Sequence, residues 1–304
     1  MTQPDNQERP LTGVSLTASA FLIWGSSPLF WKQLSAIPAF ETIMHRMVWS
    51  FLFLVPILLL KGQWGVFLST LKNWKHLSIL ATTTLIVGSN WFLFVWAINH
   101  DRVLQASLGY YINPLVNVLL GTLFLKERLR PLQIAAVIIA GSGVLYLTLD
   151  YGEFPWVALL LAFSFGFYGL LRKIAPVTAL VGLAVETFLL CFPAIAYLAY
   201  LELNGVGALG NAGLKVDLLL ACTALVTALP LLLFTMGARV LSLTSVGFLQ
   251  YIAPTCTFVL AVFLYREPFA REQGITFIAI WLAVATFSLD AIRHHGRSAR
   301  RSKI

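Results

Sequence analysis

The chain has 304 residues, of which 59% are hydrophobic and only 11% charged, with a mean hydropathy of +0.82. Soluble domains carry about 25% charged residues, so this composition excludes a water-soluble globule and makes lipid the solvent. The formal net charge of +8 lies in short gaps between apolar runs and in the tail, which speaks for membrane orientation rather than nucleic-acid binding.

The first ten residues, MTQPDNQERP, are polar, and no small-residue cleavage site follows a short apolar core. No signal peptide is therefore expected, and the first apolar run is predicted to be a retained span. Ten runs long enough to cross the hydrocarbon follow in order, at 13–31, 40–60, 77–98, 104–125, 131–149, 155–171, 178–201, 216–236, 243–264 and 272–291. Each is predicted to be a helix, because lipid offers the backbone no hydrogen bonds. Between the second and third runs, Trp64, Phe67, Leu68 and Leu71 fall at helical spacing beside Lys72 and Lys75. That pattern predicts an interfacial amphipathic turn or a loop with scattered anchors.

Lys and Arg set the orientation. With both ends cytoplasmic, the inner segments, including Arg172, Lys173, Arg239 and the tail from Arg293, hold fifteen Lys and Arg against five outside. The three cysteines all sit in apolar runs without CxxC spacing, which argues against disulfides or a metal site. His294 and His295 belong to the solvated tail. No HExxH, P-loop, GxSxG or paired carboxylates occur, so no catalytic constellation, cofactor or ATP-driven step is expected.

Within the apolar runs, a few polar residues need partners or a wet cavity. Arg46 lies in the second run and Glu186 in the seventh, at levels that suggest separate roles more than a direct bridge. Asn90 beside Trp91 and Tyr168 in the sixth run are further candidates. Tyr110, Asn113 and Asn117 form a stripe on one face of the fourth run, answered by Gln250, Ala253 and Thr257 in the ninth. Such a stripe lines a cavity or joins neighbouring helices. Trp24, Trp31, Trp49, Trp96 and Trp156 are placed near span ends, as an aromatic belt.

The segment YINPLVNVLLGTLFLKE (Tyr111 to Glu127) returns 140 residues later as YIAPTCTFVLAVFLYRE (Tyr251 to Glu267). Five runs per copy is an odd number, so the second copy must thread the membrane in the opposite sense. The expected architecture is all-α and integral to the membrane, ten transmembrane helices as a 5+5 inverted repeat, with residues 1–150 and 151–304 as the two units. Such repeats place a transport site between their halves. The same offset aligns Lys32 with Arg172, Arg46 with Glu186, Asn90 with Pro230 and Tyr110 with Gln250. Pro114, Pro254 and Pro230 fall inside helices, where each removes a backbone hydrogen bond; they are candidate hinges.

The stretches WGSSPLFWK (Trp24 to Lys32), HRMVWS (His45 to Ser50), SNWFLFVWAINHDRVLQASLGYYINPLVNVLLGTLFLKERLRPLQ (Ser89 to Gln133), GVLYLTLDYGEFPWVALLLAFSFGFYGLLRK (Gly143 to Lys173) and LQYIAPTCTFVLAVFLYREP (Leu249 to Pro268) resemble RarD-type proteins. These are transporters of the EamA group in the drug/metabolite transporter superfamily. Lys126 and Arg266 depart from the small residues typical of relatives. The resemblance implies an inner-membrane location and export or exchange of small molecules. The expected function is secondary transport of a small metabolite or amphiphile by alternating access. Arg46, Asn90, Tyr110, Asn113, Asn117, Tyr168, Glu186, Gln250 and Tyr251 are the candidate substrate contacts. Glu186 is a candidate proton-linked switch, and uncoupled diffusion fits equally. A lipid flippase or channel of the same fold is the alternative reading, and an integral-membrane enzyme a remote one.

Overall fold

The computed structural model describes residues 8–100, 102–150, 152–266 and 271–301, with side chains from residue 11 to residue 293. It is all-helical, with ten helices long and apolar enough to cross a membrane. These are span 1 (Leu11–Leu34), span 2 (Ala39–Leu60), span 3 (Trp74–Asn99), span 4 (Val103–Phe124) and span 5 (Pro131–Asp150), then span 6 (Trp156–Ile174), span 7 (Ala179–Leu203), span 8 (Leu214–Val240), span 9 (Leu243–Leu264) and span 10 (Arg271–Arg293). The side at which span 1 begins and span 10 ends is called the terminal side, and the opposite side the far side. Glu267, which closes the second copy of the repeat, lies outside the described residues, as do the tail's side chains from His294 onward.

The short stretch after span 2 is a helix, Trp64–Lys72. Its Phe67 is buried against Phe51 and Phe188, so this helix is anchored to the protein as much as to an interface.

The main helix pairings are span 1 with 8 and 9, span 2 with 7 and 8, span 3 with 6 and 7, span 4 with 6 and 9, and span 5 with 10. Exchanging every span for the one five places along returns the same set. Leu22, Leu52, Leu60, Leu225 and Leu282 are exposed on the outside of the bundle, as lipid contact requires. Towards the terminal side the interior is solid. Phe21, Leu54, Leu58, Tyr168, Leu183 and Phe234 are fully or nearly fully buried in one cluster. In lipid, such packing holds helices together by van der Waals contact rather than by the hydrophobic effect.

Trp24 belongs to this interior, against Phe21, Phe165 and Phe234, not to the belt expected from the sequence. Trp96 and Trp156 pair with each other at the far side, where an interfacial aromatic is at home.

Two candidate hinges behave differently. Span 4 runs unbroken through Pro114. Span 9 breaks at Tyr251 into Leu243–Gln250 and Ile252–Val259, and closes with a π turn at Leu260–Leu264. Pro254 has no N–H to offer the Gln250 carbonyl four residues back, which is where the break falls. The second half nevertheless keeps one detail of the first: Lys126 and Arg266 both adopt φ 54°, the only non-glycine positive φ values among the described residues. Left-handed backbone at a side-chain-bearing residue costs roughly 1–2 kcal/mol, so its recurrence at matched positions marks a shared turn.

Candidate functional site

A cavity of about 810 Å³ lies at the far side, walled by the ends of spans 1, 2 and 3, the 35–38 loop and Tyr265 beyond span 9. That is within the usual 300–1,000 Å³ of small-molecule sites. Span 1 shapes its mouth by ending irregularly. Pro28 sits at the start of a new helical turn, Pro28–Trp31, and a 3-10 turn, Lys32–Leu34, follows. The walls are mostly apolar, with Leu34, Ile37, Ile43, Phe94, Val95 and Ile98 among them.

Two cations face this space. Arg46, seven residues into span 2 and so about 10 Å deep, sits 4.5 Å from the Trp91 ring and 5.5 Å from the Trp31 ring. Its Nε is buried and has no hydrogen-bond partner. Lys32 lies at the rim with its Nζ 3.6 Å from the Tyr265 ring centre. Tyr110 lies behind one wall of this space and meets Phe94 edge-on at 6.0 Å. No carboxylate lines the cavity among the described residues. Glu41, five residues before Arg46, is turned away: its Oε1 accepts from the Ala208 N–H at 2.7 Å and lies 3.9 Å from His45.

The other in-span charge is handled in the opposite way. Glu186 is 1% exposed and fully partnered. Thr83 donates to its Oε1 at 2.5 Å, Tyr168 to its Oε2 at 3.1 Å, and Arg172 Nε stands 3.4 Å from Oε1. The Arg172 guanidinium also donates to the Ala179 carbonyl at 2.9 Å. Arg172 is therefore not the loop charge that the orientation count made it; it is completely buried inside span 6. A Cβ at Gly182, one turn before Glu186, would overlap this guanidinium, so the glycine is the notch that admits it. Beside the pair, Lys173 donates to the Ala238 and Leu241 carbonyls, and Arg239 to those of Ala175 and Val177. These bonds fasten the terminal ends of spans 6, 7 and 8 to one another.

The amide stripe faces neither lipid nor the cavity. Asn117 donates to Gln250 Oε1 at 2.8 Å, Gln250 donates to Asn113 Oδ1, and Asn113 donates to the Ala162 carbonyl at 2.5 Å. All three residues are buried, so in this conformation they join spans 4, 6 and 9. Gly247 lets the backbones close, since a Cβ there would stand 2.6 Å from the Pro114 carbonyl. Asn90 donates to the Leu161 carbonyl at 3.0 Å and to Ser164 at 2.8 Å, tying span 3 to span 6. Tyr251 is buried, with its hydroxyl 3.4 Å from the Tyr111 carbonyl. Pro114, Pro230 and Pro254 are all buried in their spans.

The candidates thus divide into Arg46 at the cavity, Tyr110 behind its Phe94 wall, and Tyr168 and Glu186 in the terminal-side cluster, with the amides between helices. Sequence reasoning missed Trp31 as a cavity wall and Arg172 as the partner of Glu186. The repeat offset held a signal for the latter, since it aligns Lys32 and Arg46 with Arg172 and Glu186.

The EamA-like transporter family matches residues 11–149. Protein RarD of Salmonella typhi is 45% identical over 280 residues, covering 92% of this chain and 95% of its own. The uncharacterized transporter YojE of Bacillus subtilis is 44% identical over 287 residues, with the same coverage of both. A crystal structure of a protein only 19% identical superimposes with a TM-score of 0.69 over 95% of this chain and 99% of the other, a likeness of fold.

Proposed function

The chain belongs to the EamA-like transporter family, among its RarD-type members, and from that premise we propose that it moves a small metabolite or amphiphile across the inner membrane by alternating access. The two five-span units form an inverted pair, and both termini face the cytoplasm. The observation that carries the reading is the contrast between the two sides: a cavity of about 810 Å³ at the far side, and a densely packed terminal side cross-linked by side-chain hydrogen bonds and a buried ion pair. A protein with two packings of nearly equal energy can exchange one for the other.

In this conformation Arg46 meets substrate in the cavity, and Tyr110 backs the Phe94 wall. The Asn113–Asn117–Gln250 cluster and the break at Tyr251, next to Pro254, form the pivot; Pro114 and Pro230 bend with it. Tyr168 and Glu186 belong to the seal that opens when the cavity closes, with Asn90 holding span 3 to span 6. Several relatives are named uncharacterized transporters, and the site has the form of a binding cavity with cations and aromatic walls.

The test is solute flux in proteoliposomes, with and without an imposed pH gradient. Saturable uptake of at least one solute is expected. Failure of every solute to move through folded protein would refute the proposal, and non-saturating leak would identify a channel instead.

A further inference from the structure

The repeat offset carries an argument about what the cavity takes. At one pair of matched positions the second half places Arg172 and Glu186, and they form a buried ion pair. At the same positions the first half places Lys32 and Arg46. The first half thus has two cations where the second has a cation and a carboxylate. The second-half pair draws the terminal ends of spans 6 and 7 together. The first-half pair cannot do the same for spans 1 and 2, because like charges repel.

We propose that the missing carboxylate is supplied by the substrate: the cavity binds an organic carboxylate with an apolar body. Its carboxylate engages Arg46 and Lys32 as Glu186 engages Arg172, and its body lies against the apolar wall. This rests on the transport reading above and gives it a substrate class.

Three observations support it. Arg46 Nε is buried without a hydrogen-bond partner, a state that in a protein interior calls for an acceptor. Arg172 Nε and Nη1 are also unbonded, but Arg172 has the Glu186 carboxylate at 3.4 Å, whereas no carboxylate among the described residues lines the cavity at Arg46. Among the described residues, Arg46 stacks on Trp31 and Trp91, whose ring faces steady a cation but give its Nε no acceptor. Finally, the walls are chiefly apolar, which suits an aryl or branched alkyl body better than a phosphate or a sugar acid. A zwitterion or an amine would bring an ammonium to a space in which the charged described side chains are themselves cationic.

The full-length protein, purified in a neutral detergent, is titrated calorimetrically with 3-phenylpropionate, L-phenylalanine and 2-phenylethylamine. The carboxylate is expected to bind at least about tenfold more tightly than either other probe. Arg46→Gln is expected to weaken it by about tenfold or more, Arg46→Lys by less, and Lys32→Gln to have an intermediate effect. Thermal unfolding of each variant checks that it is folded. The proposal is overturned if the amine or the zwitterion binds as well as the carboxylate, if no probe binds, or if folded Arg46→Gln keeps wild-type affinity. Proteoliposome flux separates this from the transport reading. Arg46-dependent carboxylate binding without flux of any solute would sink transport and leave the site assignment standing. Flux of the amine without carboxylate binding would do the reverse.

Discussion

Span 2 and span 7 each carry a charge seven residues from their first residue, Arg46 and Glu186, and the protein treats the two in opposite ways. Glu186 has a guanidinium, a phenol and a hydroxyl around it. Arg46 has two indole faces and a cavity. A charge inside a membrane protein is costly by at least about 2.5–3.5 kcal/mol on insertion scales. At Glu186 that cost is offset by neighbours within the chain, which makes the residue structural. At Arg46 it is met by ring faces and the open cavity rather than by a counter-ion, and that difference is why the proposed substrate site is placed there.

The largest effects should come from breaking the partnered side. Glu186→Ala leaves the Arg172 guanidinium buried without a counter-ion, and Arg172→Ala does the same to the carboxylate. Each is expected to destabilise by about 3–5 kcal/mol, read as a loss of folded protein after extraction or a lower Tm. The double variant Arg172→Met with Glu186→Leu removes both charges and should recover most of the loss, because apolar replacement of a buried pair is often neutral. Arg46→Ala is the contrasting case: it deletes an unpaired charge, so Tm should hold or rise while transport is lost. If Arg46→Ala unfolds the protein as badly as Glu186→Ala, the two charges are not different in kind and the comparison fails.

The spans were readable because membrane helices are specified by length and apolarity alone: the predicted 243–264 matches span 9 to the residue, and 131–149 misses span 5 by one. Partnerships were harder. Arg172 sits two residues from the end of its span, where the same composition describes a solvated loop charge and a buried one; only the notch at Gly182 on another helix decides between them. The amide stripe was legible as a face but not in its destination, since hydrogen bonding to Gln250 and to the Ala162 carbonyl depends on which helices lie alongside. Trp31 shows the same limit, because a tryptophan near a span end is an interfacial anchor or a cavity wall according to how the helix before it breaks.

A middle-sized effect should come from the residue that closes the first copy of the repeat. The Glu127 carboxylate accepts from the Leu243 N–H at 2.6 Å, the Thr244 N–H at 3.0 Å and the Thr244 hydroxyl at 2.7 Å. It thereby satisfies orphan donors at the start of span 9. Gly121 is small for the same reason, since a Cβ there would stand 2.7 Å from Glu127 Oε2. Glu127→Gln keeps the shape but loses the charge and one acceptor, and should cost about 1–2 kcal/mol of stability. The loss should appear in Tm, and a Tm equal to wild type would show that this cap contributes nothing.

The smallest effect tests whether the two halves share their turn chemistry. Lys126 and Arg266 both hold φ 54°, a conformation that glycine adopts without steric penalty. Lys126→Gly relieves strain of roughly 1–2 kcal/mol but gives back about 0.4–1 kcal/mol through a freer unfolded chain. A net gain of about 0.5 kcal/mol is therefore expected, a small rise in Tm, and Arg266→Gly should give the same sign and size. A gain at Lys126 with a loss at Arg266 would mean that the turns are alike in backbone only and that the Arg266 side chain has a role of its own at the rim beside Tyr265. Equal gains would leave the charges of spans 1, 2, 6 and 7, rather than the turns, as the place where the two copies part.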